Sequence, residues 1–179
     1  MKLKILKVTF IFYILTIFIS CSPKKNLSHM TDFDVNKYLG KWYEIGRINF
    51  TYERNMNNIS SEFFFDENKK LQVINRGYNY VQHRWKKVQG KIRDANTHEG
   101  VLEVSFFFPF YFDYIILALD EGYKYAMVGT EDLHNLWILS RTTEIPNTIK
   151  EQYLTMAKSL GYDTDGMIWT FHNKKKEQS

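Results

Sequence analysis

The sequence predicts an all-β fold: an eight-stranded antiparallel barrel with one C-terminal α-helix packed outside it. Three observations predict it. Eight runs rich in aromatic and β-branched residues, each about 7–12 residues long, are separated by turns containing Asn, Asp or Gly, the pattern of a barrel or sandwich. Only one stretch, near the C-terminus, repeats its apolar residues at helical spacing. An open sheet of so many apolar strands would expose unpaired edges, which closure removes, and an eight-stranded barrel encloses room for one small ligand.

The runs follow in order. Lys41–Phe50 is apolar and aromatic, and Ser60–Asp66 follows a polar loop. The turn cluster Asp66-Glu67-Asn68-Lys69 leads into Leu71–Tyr80. His83–Asp94 alternates Trp85, Val88 and Ile92 with polar residues, and Val101–Phe108 stops at Pro109. Tyr111–Leu119, Tyr123–Gly129 and Leu136–Thr142 complete the eight. A helix starts near Pro146, whose missing N–H costs nothing in a first turn. Ile149, Tyr153, Met156, Ala157 and Leu160 give it one apolar face, and Gly161 ends it. Met167–Phe171 reads as a short ninth strand.

The first residues carry an address. Lys2, Lys4 and Lys7 precede an apolar run from Val8 to Ile19, the charged and apolar regions of a secretory signal. That run is too short to span a bilayer. It ends in Phe18-Ile19-Ser20-Cys21, which resembles the bacterial lipobox, where the cysteine is acylated and becomes the new N-terminus. The alternative is a plain signal peptide with an incidental cysteine. Cys21 is the only cysteine, so no intramolecular disulfide forms. The expected organisation is therefore a signal peptide at 1–20, a lipidated cysteine and flexible tether at 21–32, a folded domain at 33–172 and a basic tail at 173–179.

Composition excludes other classes. Hydrophobic residues make up 44% and charged residues 25%, which is globular usage rather than disorder. The formal charge of +4 falls to +1 without the three lysines of the signal segment. No concentrated basic face remains for nucleic acid. The run Lys174-Lys175-Lys176 reads as a solvated terminus, with weak contact to anionic headgroups as a minor alternative. Five scattered histidines lack ligand spacing, so no metal is expected. Asp163-Thr164-Asp165-Gly166 begins like a calcium loop but has no acidic residue in register to finish one. No nucleophile elbow, phosphate loop or dinucleotide fingerprint is present. No catalytic residue and no cofactor is assigned.

Two segments carry a family resemblance. Gly40-Lys41-Trp42, at the start of the first strand, resembles the G-x-W signature of the lipocalins. Leu136-Trp137-Ile138-Leu139-Ser140-Arg141-Thr142, just before the helix, resembles the lipocalin strand whose arginine closes the barrel floor. Val73–Asn79, Val104–Phe107, Pro109-Phe110-Tyr111, Ile116–Asp120, Tyr125–Val128, Gly161–Thr164 and Ile168-Trp169 resemble one branch, the bacterial outer-membrane lipocalins of the Blc type, kin to apolipoprotein D. The segment Gly129–Asn135 keeps the second lipocalin signature only loosely. The resemblance implies an up-and-down barrel in which Arg141 crosses the indole of Trp42, with Gly40, Trp42 and Arg141 as structural residues. It also implies that Tyr111 and Trp137 line an acyl pocket.

Strand alternation then places further residues. If Arg141 points into the floor, Leu139 and Trp137 point inward above it. From Trp42 the inward set is Glu44, Gly46 and Ile48, with Glu44 a satisfied structural carboxylate. Phe64, Phe106, Phe108, Tyr114 and Leu139 are further ligand-contact candidates. In the Phe50–Asn58 loop at the mouth, Glu53 and Arg54 read as a solvated pair, with Arg54 a candidate for a phosphate or carboxylate headgroup. The expected function is a membrane-anchored carrier of a fatty acid or lysophospholipid at the outer membrane of the bacterial envelope. A homodimer is left open as a partner. The rival readings are a structural envelope lipoprotein with a filled barrel and a lipid-modifying enzyme.

Overall fold

The computed structural model describes residues 32–48, 50–96 and 99–173; the signal segment, Cys21 and the lysine tail lie outside the described residues. A four-residue helix α1 (Val35–Tyr38) precedes β1 (Gly40–Ile48). A 3-10 turn (Thr51–Glu53) leads to β2 (Met56–Phe65), β3 (Leu71–Asn79), β4 (Arg84–Asn96) and β5 (Val101–Phe107). Then come β6 (Phe110–Leu119), β7 (Tyr125–Gly129), β8 (Leu136–Ser140), α2 (Asn147–Leu160) and β9 (Met167–Trp169). The strands pair antiparallel with their sequence neighbours, and β1 closes the ring by pairing with both β8 and β2.

Two short elements escape periodicity. Helix α1 forms because the Asp34 side chain accepts the backbone N–H of Asn36, a cap with no amphipathic run behind it. Strand β2 begins four residues before the expected Ser60. Asn58 is held in the sheet by distant partners: its N–H donates to the Phe171 carbonyl, and its Oδ1 accepts the Asn173 N–H.

Neighbouring residues on one strand fall into two separate apolar layers, as period-two alternation demands. Trp42, Phe63, Val73, Leu102, Ile116, Val128 and Leu139 pack inside the barrel. Ile45, Leu117, Met127 and Ile138 pack outside it against Tyr153 and Ala157 of α2. Met156 lies at the exposed edge of the helical face. The Tyr153 hydroxyl donates to the Tyr125 carbonyl and the Tyr162 hydroxyl to that of Thr130, which fixes the helix to the outer wall.

The floor is closed by one stack. The Arg141 guanidinium lies 3.8 Å above the ring of fully buried Trp42. Its five N–H groups point outward in plane, and three carbonyls accept from them: Tyr123 at 3.1 Å, Lys41 at 3.0 Å and Lys37 at 2.8 Å. The Trp42 indole N–H donates to the Tyr38 carbonyl at 2.8 Å. Gly40 enters this stack with φ +88°, a conformation that a side chain would strain. The implied Gly40–Trp42–Arg141 arrangement is thus present.

Replacing Arg141 with Ala removes the cation–π contact and three carbonyl partners, about 2–3 kcal/mol together. Tm should fall by roughly 6–12 °C in thermal unfolding. Arg141→Lys should recover only part of the loss, since an ammonium cannot stack flat and serve three carbonyls at once.

Candidate functional site

Hairpin connections alternate between the two ends of an up-and-down barrel, so the loops after β1, β3, β5 and β7 lie opposite the Trp42 floor, at the mouth. The 3-10 turn Thr51–Glu53 belongs to the first of these. Trp137 faces inward beneath it: its indole N–H donates to the Glu53 carboxyl at 3.1 Å, and the Phe50 ring meets it edge-on at 5.4 Å. Phe106 and Leu139 are also inside, Phe106 with its ring against the Gly90 backbone and Leu139 opposite Glu44. Tyr114 is inside but low. Its hydroxyl is 2.8 Å from that of Tyr38, and burial pushes both hydroxyls well above the usual tyrosine range.

Tyr111 lies elsewhere. Its ring sits under the Arg93 guanidinium at 4.1 Å, and Arg93 pairs with Glu103 on the outer wall. Past Tyr111 the inward residues of β6 are Phe112 and Tyr114, followed by Ile116, with Phe112 directly across from buried Val104. Phe64 is on the outer side of β2, next to inward Phe63, and Phe108 is exposed at the hairpin tip.

Strand β1 departs from the expected alternation. A bulge between Glu44 and Gly46 inserts one extra residue. Glu44 therefore faces inward opposite Leu139, Gly46 faces outward opposite Ile138, and Arg47 faces inward opposite Trp137. Gly46 and Ile48 are consequently outside. A Cβ on Gly46 would stand 2.7 Å from the ring of its cross-strand partner Trp169 on β9, so that ring can lie across β1 only over a glycine.

The bulge places a charged cluster within the barrel wall. The Arg47 Nη1–H donates to Glu44 Oε1 at 2.5 Å, and its Nη2–H donates to the Glu53 carbonyl at 2.8 Å. Thr170 donates its hydroxyl to the same Glu44 oxygen. Glu44 Oε2 has no partner among the described residues, so the carboxylate is only half satisfied. Glu53, expected in solvent, folds inward and is largely buried, while Arg54 stays exposed. Burial, and then the neighbouring Glu44 charge, push the Glu53 carboxyl up to about 8, against the opposing effects of Trp137 and Arg47. Near neutral pH the Glu53 carboxyl is thus largely protonated beside the Glu44–Arg47 pair. Neither Arg47 nor Glu53 was marked as an interior residue by the sequence; a bulge leaves no signal in the period-two pattern.

Above the cluster the rim is aromatic. Phe108 is 77% exposed, Phe110 68%, Tyr52 68% and Phe107 60%. The Tyr52 ring stands 6.4 Å from that of Phe107 and bridges the first and third mouth loops. Among the described residues no three His, Cys, Asp or Glu side chains gather in a metal-binding group.

Comparison with known proteins agrees with this architecture. The profile of the lipocalin-like domain family matches residues 33–172, and the chain belongs to the lipocalin family. It is 37% identical to the outer membrane lipoprotein Blc of Vibrio cholerae over 147 residues, 81% of this chain and 86% of that protein. Identity to the Escherichia coli K12 protein of the same name is also 37%, over 156 residues, 84% of this chain and 88% of that one. Mouse apolipoprotein D is 32% identical over 148 residues, 78% of this chain and 77% of that one. Insecticyanin from the tobacco hornworm Manduca sexta superposes with a TM-score of 0.67 at 20% identity, covering 84% of this chain and 86% of its own. Its likeness establishes the shared barrel.

The raised Glu53 pKa sets a stability slope. The protonated carboxyl is favoured in the folded state, so its contribution is complete below about pH 4.5, declines as pH rises and is gone above about pH 8. Urea unfolding between pH 5 and 9 should show stability falling by up to about 1.4 kcal/mol per pH unit in that window. Glu53→Gln, which cannot ionise, should flatten the decline.

Proposed function

We propose that this lipocalin binds and carries single-chain lipids, fatty acids or lysophospholipids, at the bacterial outer membrane, held there by an acylated Cys21. The barrel mouth is the observation that carries the reading. Trp137, Phe106 and Phe112 face inward yet remain partly open, and the aromatic rim stands above them in solvent. Contiguous exposed apolar surface of this kind marks contact with a partner or a membrane. Aromatic rings are suited to the bilayer interface, where one end is apolar and the other wet.

The work is partition, with no bond made or broken. Sixteen buried methylenes contribute up to about 13 kcal/mol at roughly 0.8 each, and ordering the chain offsets much of that. A micromolar to nanomolar Kd follows. One acyl chain fits an eight-stranded interior more readily than two. The outer membrane lipoproteins among the relatives support the location. The tether supports the approach. About a dozen residues separate Cys21 from the floor-side helix α1, and extended they reach roughly 40 Å. A ten-residue strand such as β2 spans about 33 Å. A barrel tethered at its floor can therefore turn its mouth to the same bilayer.

Native mass spectrometry of the purified protein with a panel of fatty acids and lysophospholipids should give one-to-one adducts. A complete lack of adducts overturns the reading in favour of a filled barrel, and turnover of a bound lipid overturns it in favour of an enzyme. Trp137→Ala should weaken binding roughly tenfold with the fold intact, as expected for removing one large apolar wall. Phe108→Asp should slow lipid uptake from vesicles several-fold while leaving affinity for monomeric lipid unchanged, because Phe108 is on the rim outside the pocket.

A further inference from the structure

We infer that the rim holds a headgroup subsite outside the apolar interior, in which Arg54 takes the phosphate or carboxylate of a bound lipid in a cleft that it shares with Arg47. This deepens the carrier reading and rests on it.

The cleft opens where β1 parts from β2. Strand β1 pairs with β2 only from Gly40 to Tyr43, and beyond that point with β9 from Gly46 to Ile48. The half-open space left at the split is about 280 Å³. At about 30 Å³ per water, that is room for roughly nine waters, enough for a small anionic head. Arg54, Asn55 and Asn57 supply donors, Met56 and Trp169 supply apolar surface, and buried Arg47, its guanidinium held by Glu44 and the Glu53 carbonyl, closes the inner side. Cationic and amide donors beside apolar wall is the chemistry of the junction between a lipid head and its chain.

Charge selects the ligand. Arg47 is matched by the Glu44 carboxylate, and the neighbouring Glu53 acid is neutral near pH 7. The Arg54 guanidinium has no ion-pair or hydrogen-bond partner among the described residues. The cleft therefore carries one uncompensated positive charge with a planar fork of donors, the geometry that phosphate and carboxylate accept in pairs. Position links the two parts. Arg47 lines the cleft, and on β1 it stands directly opposite inward Trp137. A head in the cleft lies one side chain from the wall where the acyl chain would start.

The test uses the protein as cells export it, held in phosphatidylcholine nanodiscs, with tryptophan fluorescence read against empty discs. Two ligands of equal chain length are compared, dodecyl phosphate and 1-dodecanoylglycerol. The wild-type protein should prefer the phosphate by roughly five- to tenfold, since one exposed charge-assisted contact contributes about 1 kcal/mol or somewhat more. Arg54→Gln should abolish the preference and leave affinity for the glyceride and Tm unchanged, and Arg54→Lys should keep part of it. Millimolar inorganic phosphate should change neither affinity, because a lone head lacks the chain that holds it. Equal affinities in the wild type, an Arg54→Gln effect of the same size on both lipids, or binding of inorganic phosphate without lipid preference would each overturn the headgroup subsite and leave the carrier reading standing. Failure of both lipids to bind the wild-type protein would overturn both.

Discussion

A guanidinium laid on an indole decides which end of this barrel is open. Arg141 arrives from the end of β8 and Trp42 from the start of β1, the two strands that meet to close the ring. Their contact also gathers the Lys37, Lys41 and Tyr123 carbonyls, so helix α1 and the β6–β7 turn are tied into the same knot. Tyr38, fully buried beneath, fills that end against Trp42.

The second constraint is that β1 serves more partners than a strand can serve flat. It pairs with β8 from Tyr43 to Arg47, with β2 from Gly40 to Tyr43 and with β9 from Gly46 to Ile48. The bulge at Ile45 makes this feasible by bending the strand and adding twist. It also reverses the faces beyond it. The interior thereby gains a guanidinium where Gly46 or Ile48 would have stood, and the outer face gains the bare glycine that lets Trp169 cross. The inward Arg47 of the polar cluster and the bare outer face at Gly46 are two consequences of one extra residue.

This explains what was legible in the sequence and what was not. Strand order, the outer helix and the Trp42–Arg141 floor follow from local composition and two motifs, because each depends on residues near one another in the chain or on a contact between two fixed strand ends. Trp137 and Leu139 face inward as alternation expects, since β8 pairs regularly with β7 through them; Phe106 and Tyr114 also face inward, although the β5–β6 pairing shifts between Val104 and Phe107. Alternation on β6 also sets Tyr111 on the outer wall, where it has the Arg93 guanidinium to stack on. The exchange of Gly46 and Ile48 for Arg47 required the bulge. The inward turn of Glu53 required a partner 84 residues away in Trp137. The early start of β2 required the C-terminal segment, through Asn58 and Phe171. Each of these is a long-range pairing that overrides a local preference.

The buried cluster finally bears on how the mouth can open. Two carboxyls and one guanidinium inside an apolar barrel are costly, and the half-satisfied Glu44 shows that hydrogen bonding does not fully offset the cost. A neutral Glu53 lessens it by leaving one ion pair instead of an excess anion. The same residue carries the mouth turn, so its two contacts, carboxyl to Trp137 and carbonyl to Arg47, hold that turn against the wall. A lipid chain that reaches Trp137 must displace or share those contacts. The turn that covers the apolar wall is thus held by polar bonds of modest net strength, and it can yield to a ligand without disturbing the floor at the opposite end.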